Sequence, residues 1–279
     1  MALPLGRMAR GVKTVAMPGR HAHLSSGMLR RITLGFVLLA SSASAEPWQA
    51  SYVFTAAGMT VMEARVDLDI GGPGAAYVIQ TRSRPRGLAN VFFRGELFSQ
   101  SEGVWRGSRP MPRVHRSTGS WRGTPRRTVL EYGPGGVPRV VVLEPAEDVE
   151  RSPVPREVLP GTTDALSAML QLSRQVSETG RCEAQARIFD GRRLTQLDLS
   201  TDPVRQASGG GQPSCVIESR VIAGIPTDRP EDARPLRSVV HFGNPVAPGA
   251  PMLPVRIELA SRWWGTIQVV LTQVSRGAP

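Results

Sequence analysis

Between Val61 and Ile70 the chain alternates. Ala64, Val66, Leu68 and Ile70 point to one side of an extended backbone, and Arg65, Asp67 and Asp69 point to the other. A period of two is the pattern of a strand with one buried face and one wet face. Apolar, β-prone segments of similar length recur along the sequence, cut by turn residues. Before residue 150 they cover 48–57, 76–83, 94–105, 111–121, 126–132 and 137–143. Gly71-Gly72-Pro73-Gly74 separates two of them, and Gly133-Pro134-Gly135-Gly136 makes the last pair a hairpin by composition. After residue 180 the pattern returns at 183–190, 194–200, 214–222, 236–242, 253–261 and 265–274. The last of these is apolar on both faces, which predicts cover on both sides. Residues 87–93 are apolar without alternation and read as a bend or short helical turn. Residues 226–235 read as a charged loop and 275–279 as a loose tail.

One segment has another period. Leu166, Met169, Leu170 and Ser173 fall at helical spacing, and Val176 continues that face. Thr162 or Thr163 can cap the first amides, Asp164 suits the positive end of the helix, and Gly180 can end it. The helix is expected to lay its apolar stripe on the sheet. Together these elements predict a mainly β fold: an antiparallel curved sheet or partly open barrel of about a dozen strands with one covering α-helix.

The N-terminal 45 residues obey different rules. Arg30-Arg31 precede an apolar run from Ile32 to Ala40, and Ala43-Ser44-Ala45 closes it. This is the layout of a secretory signal peptide cleaved after Ala45. The apolar core is shorter than the roughly twenty residues of a membrane-spanning helix. Residues 1–27 sit upstream of that layout. Met28 is then the true initiator, or the chain carries a long basic leader or an uncut anchor. The expectation is a periplasmic protein whose mature part, 46–279, is a single β-rich domain without a transmembrane helix.

Charge excludes one class of partner. The formal net charge is +11, but residues 1–45 contain six basic residues and no acidic ones, which leaves about +5 on the rest. That is too little for a nucleic-acid footprint. Lysine occurs once, at Lys13, so every cation after the leader is arginine. Guanidinium forks suit phosphate, and a GC-rich genome would also favour arginine.

Cys182 and Cys215 both follow the leader. In an oxidising compartment an even count favours a disulfide; two buried thiols or a metal pair are the alternatives. No catalytic motif emerges. Gly119-Ser120-Trp121-Arg122-Gly123 places its serine one position too early for a nucleophile elbow. A Ser-His-acid site would have to use His115 or His241. There is no zinc-protease helix motif, Walker loop or dinucleotide fingerprint. No catalytic residue, metal ligand or cofactor is assigned.

Phe189-Asp190-Gly191-Arg192-Arg193 stands out between two strand-like runs. Asp-Gly there is a tight-turn signal, and it also presents an acidic and basic pair. Cys182 lies seven residues before Phe189. Cys215-Val216-Ile217 leads to Ile222-Ala223-Gly224, Tyr52 to Val61 opens the domain, and Asp164-Ala165-Leu166-Ser167 starts the helix. Taken together, these residues resemble the exported bacterial family known as domain of unknown function 3108, over most of 50–274. Relatives often carry an aromatic residue where Leu194-Thr195 and Glu218-Ser219 stand here. The resemblance implies a periplasmic, β-rich protein and carries over no catalytic residue.

The function expected on these grounds is non-enzymatic. A lipid or lipoprotein-like ligand, apolar or amphipathic, would bind in the concave face of the sheet, with Phe92, Phe93, Met169, Trp263 and Trp264 near the cleft. Ordinary core packing is the other account of those five residues. The alternatives are an envelope protein-interaction or assembly module and a cell-envelope hydrolase.

Overall fold

The computed structural model describes residues 47–277 other than 73, 147–150, 204–210, 249 and 263. The leader and Trp263 therefore lie outside the described residues. The strands are β1 (Trp48–Ala56), β2 (Met59–Ile70), β3 (Ala76–Pro85), β4 (Leu97–Arg106), β5 (Arg109–Trp121), β6 (Thr124–Tyr132), β7 (Pro138–Glu144), β8 (Ala184–Phe189), β9 (Leu194–Thr201), β10 (Ser214–Ala223), β11 (Leu236–Phe242), β12 (Pro254–Ser261) and β13 (Gly265–Arg276). The α-helix α1 spans Ala165–Thr179, and short 3-10 turns occupy Gly87–Val91, Arg156–Val158 and Pro230–Ala233.

All thirteen strands join one antiparallel sheet in the order β7-β6-β5-β4-β3-β2-β1-β13-β12-β11-β10-β9-β8. Each strand pairs with its sequence neighbour except at two places. The first and last strands pair with each other, Trp48 opposite Arg276 and Ala56 opposite Ile267. Ser275 and Arg276 are therefore ladder rather than tail. At the other break the chain leaves one edge at β7 and re-enters at the opposite edge, β8, with α1 between them.

The helix shows how far this sheet curls. It touches β3, β4 and β5 as well as β8. In sheet order β5 and β8 are ten strands apart, about 48 Å on a flat sheet. A helix of this length is about 22 Å long. One helix can reach both only if the sheet wraps around it. Its burial agrees: Ser167, Leu170, Leu172, Ser173 and Val176 are buried and spread over roughly 220° of the helix circumference, against the roughly 100° stripe of a helix lying on a surface. The sheet encloses the helix instead of offering one face to it.

Two packing centres follow. Leu170 belongs to a buried cluster with Trp48, Tyr52, Leu68, Tyr77, Trp105 and Val269 on the β1–β4 and β13 side. Leu172 and Val176 meet Val240, Phe242 and the Cys182–Cys215 pair on the β10–β11 side. Those cysteines form a disulfide with Cα atoms 5.5 Å apart, 33 residues apart in sequence. It ties the chain just after α1 to β10. The last strand departs from the two-sided expectation: Val269 is buried, but Val270 on the other face is 42% exposed.

Among the described residues no strand ladder joins β7 to β8. Side chains close the barrel instead, since Leu130 of β6 packs with Phe189 and Leu194 of β8 and β9. Thr163 covers the β8 edge: its amide donates to the Arg187 carbonyl at 2.9 Å, and its carbonyl accepts from the Phe189 amide at 2.9 Å. The β7 edge is less protected. Val140 and Val141 are exposed there, beside a bulge opposite Val129 and Leu130.

Candidate functional site

Three groupings could carry chemistry, and in two of them the serines are buried. The first surrounds the start of α1. Asp164 is the N-cap, with its Oδ1 accepting from the amides of Leu166 and Ser167. An N-cap carboxylate normally faces water; this one is 1% exposed. Its Oδ2 accepts from the Ser101 hydroxyl at 2.8 Å and from the Ser167 hydroxyl at 2.7 Å. Tyr77 Oη lies 2.8 Å from Ser167 Oγ. His115 Nδ1 sits 3.5 Å from Asp164 Oδ1, too poorly placed for a hydrogen bond. Burial raises the Asp164 carboxyl, but His115 and the amide and hydroxyl of Ser167 outweigh it and hold the group below the usual carboxylate range. Burial pushes the Tyr77 phenol up. The cluster contains serine, histidine and aspartate, yet both serines spend their protons on the carboxylate. Ser101 and Ser167 are fully buried. This network fixes the helix in the barrel.

The second grouping crosses β10, β11 and β12. Ser214 Oγ lies 2.7 Å from His241 Nδ1, and His241 Nε2 lies 3.5 Å from Glu258 Oε1. The order serine, histidine, acid is right for a hydrolase. Access is not: Ser214 is 3% exposed, and Glu258 also pairs with Arg256 at 3.2 Å. Neither grouping lines the cavities described next. Among the described residues, no group of three or more His, Cys, Asp or Glu could hold a metal ion.

The third grouping is a cavity of about 640 Å³. Its apolar wall includes Val61, Ala89, Leu97, Leu259 and Ile267, together with five aromatic residues, Phe54, Phe92, Phe93, Trp121 and Trp264. Phe92 is the middle of the aromatic set. Its ring stacks near Trp121 at 6.0 Å and meets Trp264 edge-on at 5.9 Å, while Phe93 lies 5.1 Å from Trp121. Local backbone bonds place these rings. The Arg86 amide donates to the Val61 carbonyl, which starts the 3-10 turn against β2, and the Arg122 amide donates to the Phe92 carbonyl at 2.7 Å, which ties the turn to the β5–β6 hairpin. Trp264 arrives from the β12–β13 turn.

The polar wall of the same cavity comes from elsewhere in the chain. The β8–β9 turn supplies Asp190, Arg192 and Arg193; Arg126, Arg151, Arg229 and Asp232 are the wall's other charged residues. Asp190 holds the turn, its Oδ1 accepting from the amides of Arg192 and Arg193 at 2.9 Å each. Gly191 makes the turn possible, with φ at +93°; an added Cβ would also lie 2.7 Å from Thr128 Cγ2.

The residues singled out from the sequence divide. Phe92, Phe93 and Trp264 line this cavity, as do Asp190 and Arg192. Met169 does not; it packs on the cluster that contains the disulfide. Phe189 packs with Leu130 and Leu194 at the seam. It lines a second cavity of about 630 Å³ beside β7, with Val140 and Leu143. The concave face as a whole is not the cleft expected, because α1 and the side chains around it fill its middle. Trp121, Arg126 and Arg229 were not singled out from the sequence. A reading that paired turn segments rich in aromatics with turn segments rich in arginine would have raised them.

These features define a β-rich, barrel-like protein wrapped around one helix, with a disulfide and one cavity walled by aromatics and arginines. No helix among the described residues is long and apolar enough to cross a membrane. The chain belongs to the family described as protein of unknown function (DUF3108), whose model matches residues 48–208. Cys215 and Ile222-Ala223-Gly224 lie beyond that match. The chain is also similar to the crystal structure of a β-barrel-like protein of domain of unknown function DUF1849 from Brucella abortus, with 12% identity, 84% of this chain and 99% of that chain covered, and a TM-score of 0.42. Among curated proteins, none matches significantly.

Proposed function

We propose that this is a non-enzymatic, exported protein that holds an apolar or amphipathic component of the cell envelope. The aromatic cavity carries the reading. Its volume of about 640 Å³ falls in the range of small-molecule sites, and Phe92, Trp121 and Trp264 give it a wall that water solvates poorly. The burial of Ser101, Ser167 and Ser214 argues against hydrolysis. Export rests on the signal-like layout of residues 28–45. The full chain, expressed with its own leader and purified from a periplasmic extract, is expected to release acyl-chain compounds into organic solvent, identified by mass spectrometry. It should also take up a fluorescent fatty acid, and Trp264→Ala should weaken that uptake. Protein that neither carries nor takes up an amphiphile removes the reading.

A second reading has its own support. The β7 edge presents Val140 and Val141 to solvent, and an unpaired strand edge is a docking surface for another chain. An envelope assembly module would then give one dominant crosslinked partner from a photoreactive residue at position 141, with no lipid required.

A further inference from the structure

We propose that Arg151 and Arg192 form the end wall of the aromatic cavity and restrict it to an amphiphile with one hydrocarbon chain, a fatty acid or lysolipid, against a lipid with two. This rests on the binding function proposed above and names the class of its ligand.

The aromatic cavity has a neighbour of nearly its own size. It measures about 640 Å³, and the cavity beside β7 about 630 Å³. Arg151 and Arg192 line both. The β8–β9 turn stands between the two: Asp190 and Arg193 line the first, and Phe189 and Gly191 line the second. This partition is fastened to backbone. One Arg192 amine donates to the Pro145 carbonyl at 2.7 Å, which carries its side chain from the turn to the residue after β7. One Arg151 amine donates to the Gly224 carbonyl at 3.1 Å, and the next residue, Ser152, donates its amide to the Ile225 carbonyl at 3.0 Å. Gly224 itself sits against the turn, where an added Cβ would collide with the Arg192 carbonyl. A hydrocarbon passing from one cavity to the other would break the two guanidinium bonds and put methylenes against the carbonyls left behind.

Volume then sets the class of ligand. A methylene is close in size to a water molecule, whose share of liquid volume is about 30 Å³. On that scale the aromatic cavity holds about twenty methylenes. One eighteen-carbon chain needs about 540 Å³ and fits; two need about 1,080 Å³ and do not. The cavity beside β7 has the room and the apolar lining for a second chain, with Val154, Leu159 and Phe189 on its wall. The arginine partition is what keeps that room from the first cavity. A two-chain lipid held by one chain would leave the other outside, at a loss of roughly fourfold in affinity for each methylene left in water.

The test offers two lipids that share one head group and one kind of chain. Vesicles of dioleoyl phosphatidylcholine containing a small fraction of oleoyl lysophosphatidylcholine are incubated with the full chain, purified from the periplasm and stripped of lipid. The protein is separated from the vesicles, and bound lipid is identified by native mass spectrometry. Wild type should carry the one-chain lipid, with at least about tenfold less of the two-chain lipid per molecule offered. Arg151→Ala and Arg192→Ala should each raise the ratio of two-chain to one-chain lipid several-fold. Wild type and variants meet the same vesicles, so the difference in how readily each lipid leaves the bilayer cancels. Two variants are used because Arg192 also braces the β8–β9 turn, and the wild-type measurement needs neither. Wild type that carries the two-chain lipid as readily as the one-chain lipid overturns this proposal and leaves the binding function standing. Folded variants that keep the wild-type ratio overturn it too, because the wall would then lie elsewhere. Wild type that takes up neither lipid, nor a fatty acid, overturns both.

Discussion

Ser101 and Asp164 are 63 positions apart in sequence, yet the serine hydroxyl donates to the buried carboxylate across 2.8 Å. That contact joins the middle of β4 to the first turn of the helix the sheet encloses. It makes a helix cap a long-range tether. Ser167 adds a second hydroxyl to the same oxygen, at 2.7 Å.

Acid should loosen that tether. The native Asp164 carboxyl is held below its ordinary value, near 3.9 in an unfolded chain. A depressed native pKa means the charged form stabilises the fold above about pH 4, and that contribution is lost as pH falls through the lower native pKa. Asp164→Asn keeps a good N-cap but removes the charge. Denaturant midpoints of wild type and Asp164→Asn, measured from pH 6 to pH 2.5, should differ most at the upper end and converge below about pH 4. A gap independent of pH would mean that the buried group is not ionised. Asp164→Ala, which also strands the Ser101 and Ser167 hydroxyls, should cost about 3 kcal/mol at neutral pH.

Gly103 protects the same network from the other side. A Cβ there would lie 2.3 Å from the Met111 carbonyl and 2.6 Å from the Tyr77 ring and its hydroxyl. Gly103→Ala should therefore push Tyr77 off Ser167, to which it is bonded at 2.8 Å. Overpacking of this kind costs about 2 kcal/mol, or roughly 5 °C in thermal midpoint for a domain of this size. Calorimetry checks it. Tyr77→Phe combined with Gly103→Ala should lose less than the two single losses added together, because the hydrogen bond can be broken only once.

Much of the architecture was legible because it is local. The alternation from Val61 to Ile70 became β2, the cluster of glycines at 133–136 became the turn before β7, and the helical spacing became a helix that ends at Gly180, although its N-cap is Asp164 and not Thr162 or Thr163. What was not legible depends on distant pairing. Nothing near Trp48 says that it will lie opposite Arg276, yet that ladder joins the two halves into one sheet. Met169 shows the limit of periodicity. Helical spacing put it on the expected apolar stripe, but a helix enclosed by a curled sheet is buried over most of its circumference, so its faces reach different clusters. The candidate site was half visible for the same reason. Phe92 and Phe93 stand out as an apolar pair, and Asp190 to Arg193 as a turn, but only the curl of the sheet brings them to one cavity.

Reduction of the disulfide should weaken the fold without erasing it. Cys182 and Cys215 close a loop across 33 positions. Constraining that loop in the unfolded chain contributes about 3 to 4 kcal/mol in the chain-entropy model. Replacing both cysteines by alanine should lower the thermal midpoint by roughly 10 °C. Because both sulfurs are buried against Leu172, Val176 and Phe242, part of that loss is packing. Wild type unfolded and refolded under reductant, with both thiols present, isolates the covalent share. It should fall between the oxidised protein and the double variant.

Phe92 separates stability from binding. Its ring lies between Trp121 and Trp264, at 6.0 and 5.9 Å, while its backbone holds the 3-10 turn to Arg122. Phe92→Ala keeps the backbone bond and removes the centre of the aromatic wall. The ring is only partly buried, so the stability loss should stay near about 1 kcal/mol, below the 3 kcal/mol or more of a fully buried phenylalanine. The effect on an amphiphile should be larger in proportion. Loss of one ring from the wall removes apolar contact worth about 1 to 2 kcal/mol, which weakens binding of a twelve-carbon tail about tenfold for anionic and uncharged heads alike. A titration that follows tryptophan emission reads both quantities on one sample. A variant that unfolds at the wild-type midpoint and binds both heads with wild-type affinity would show that the tail does not lie on this wall.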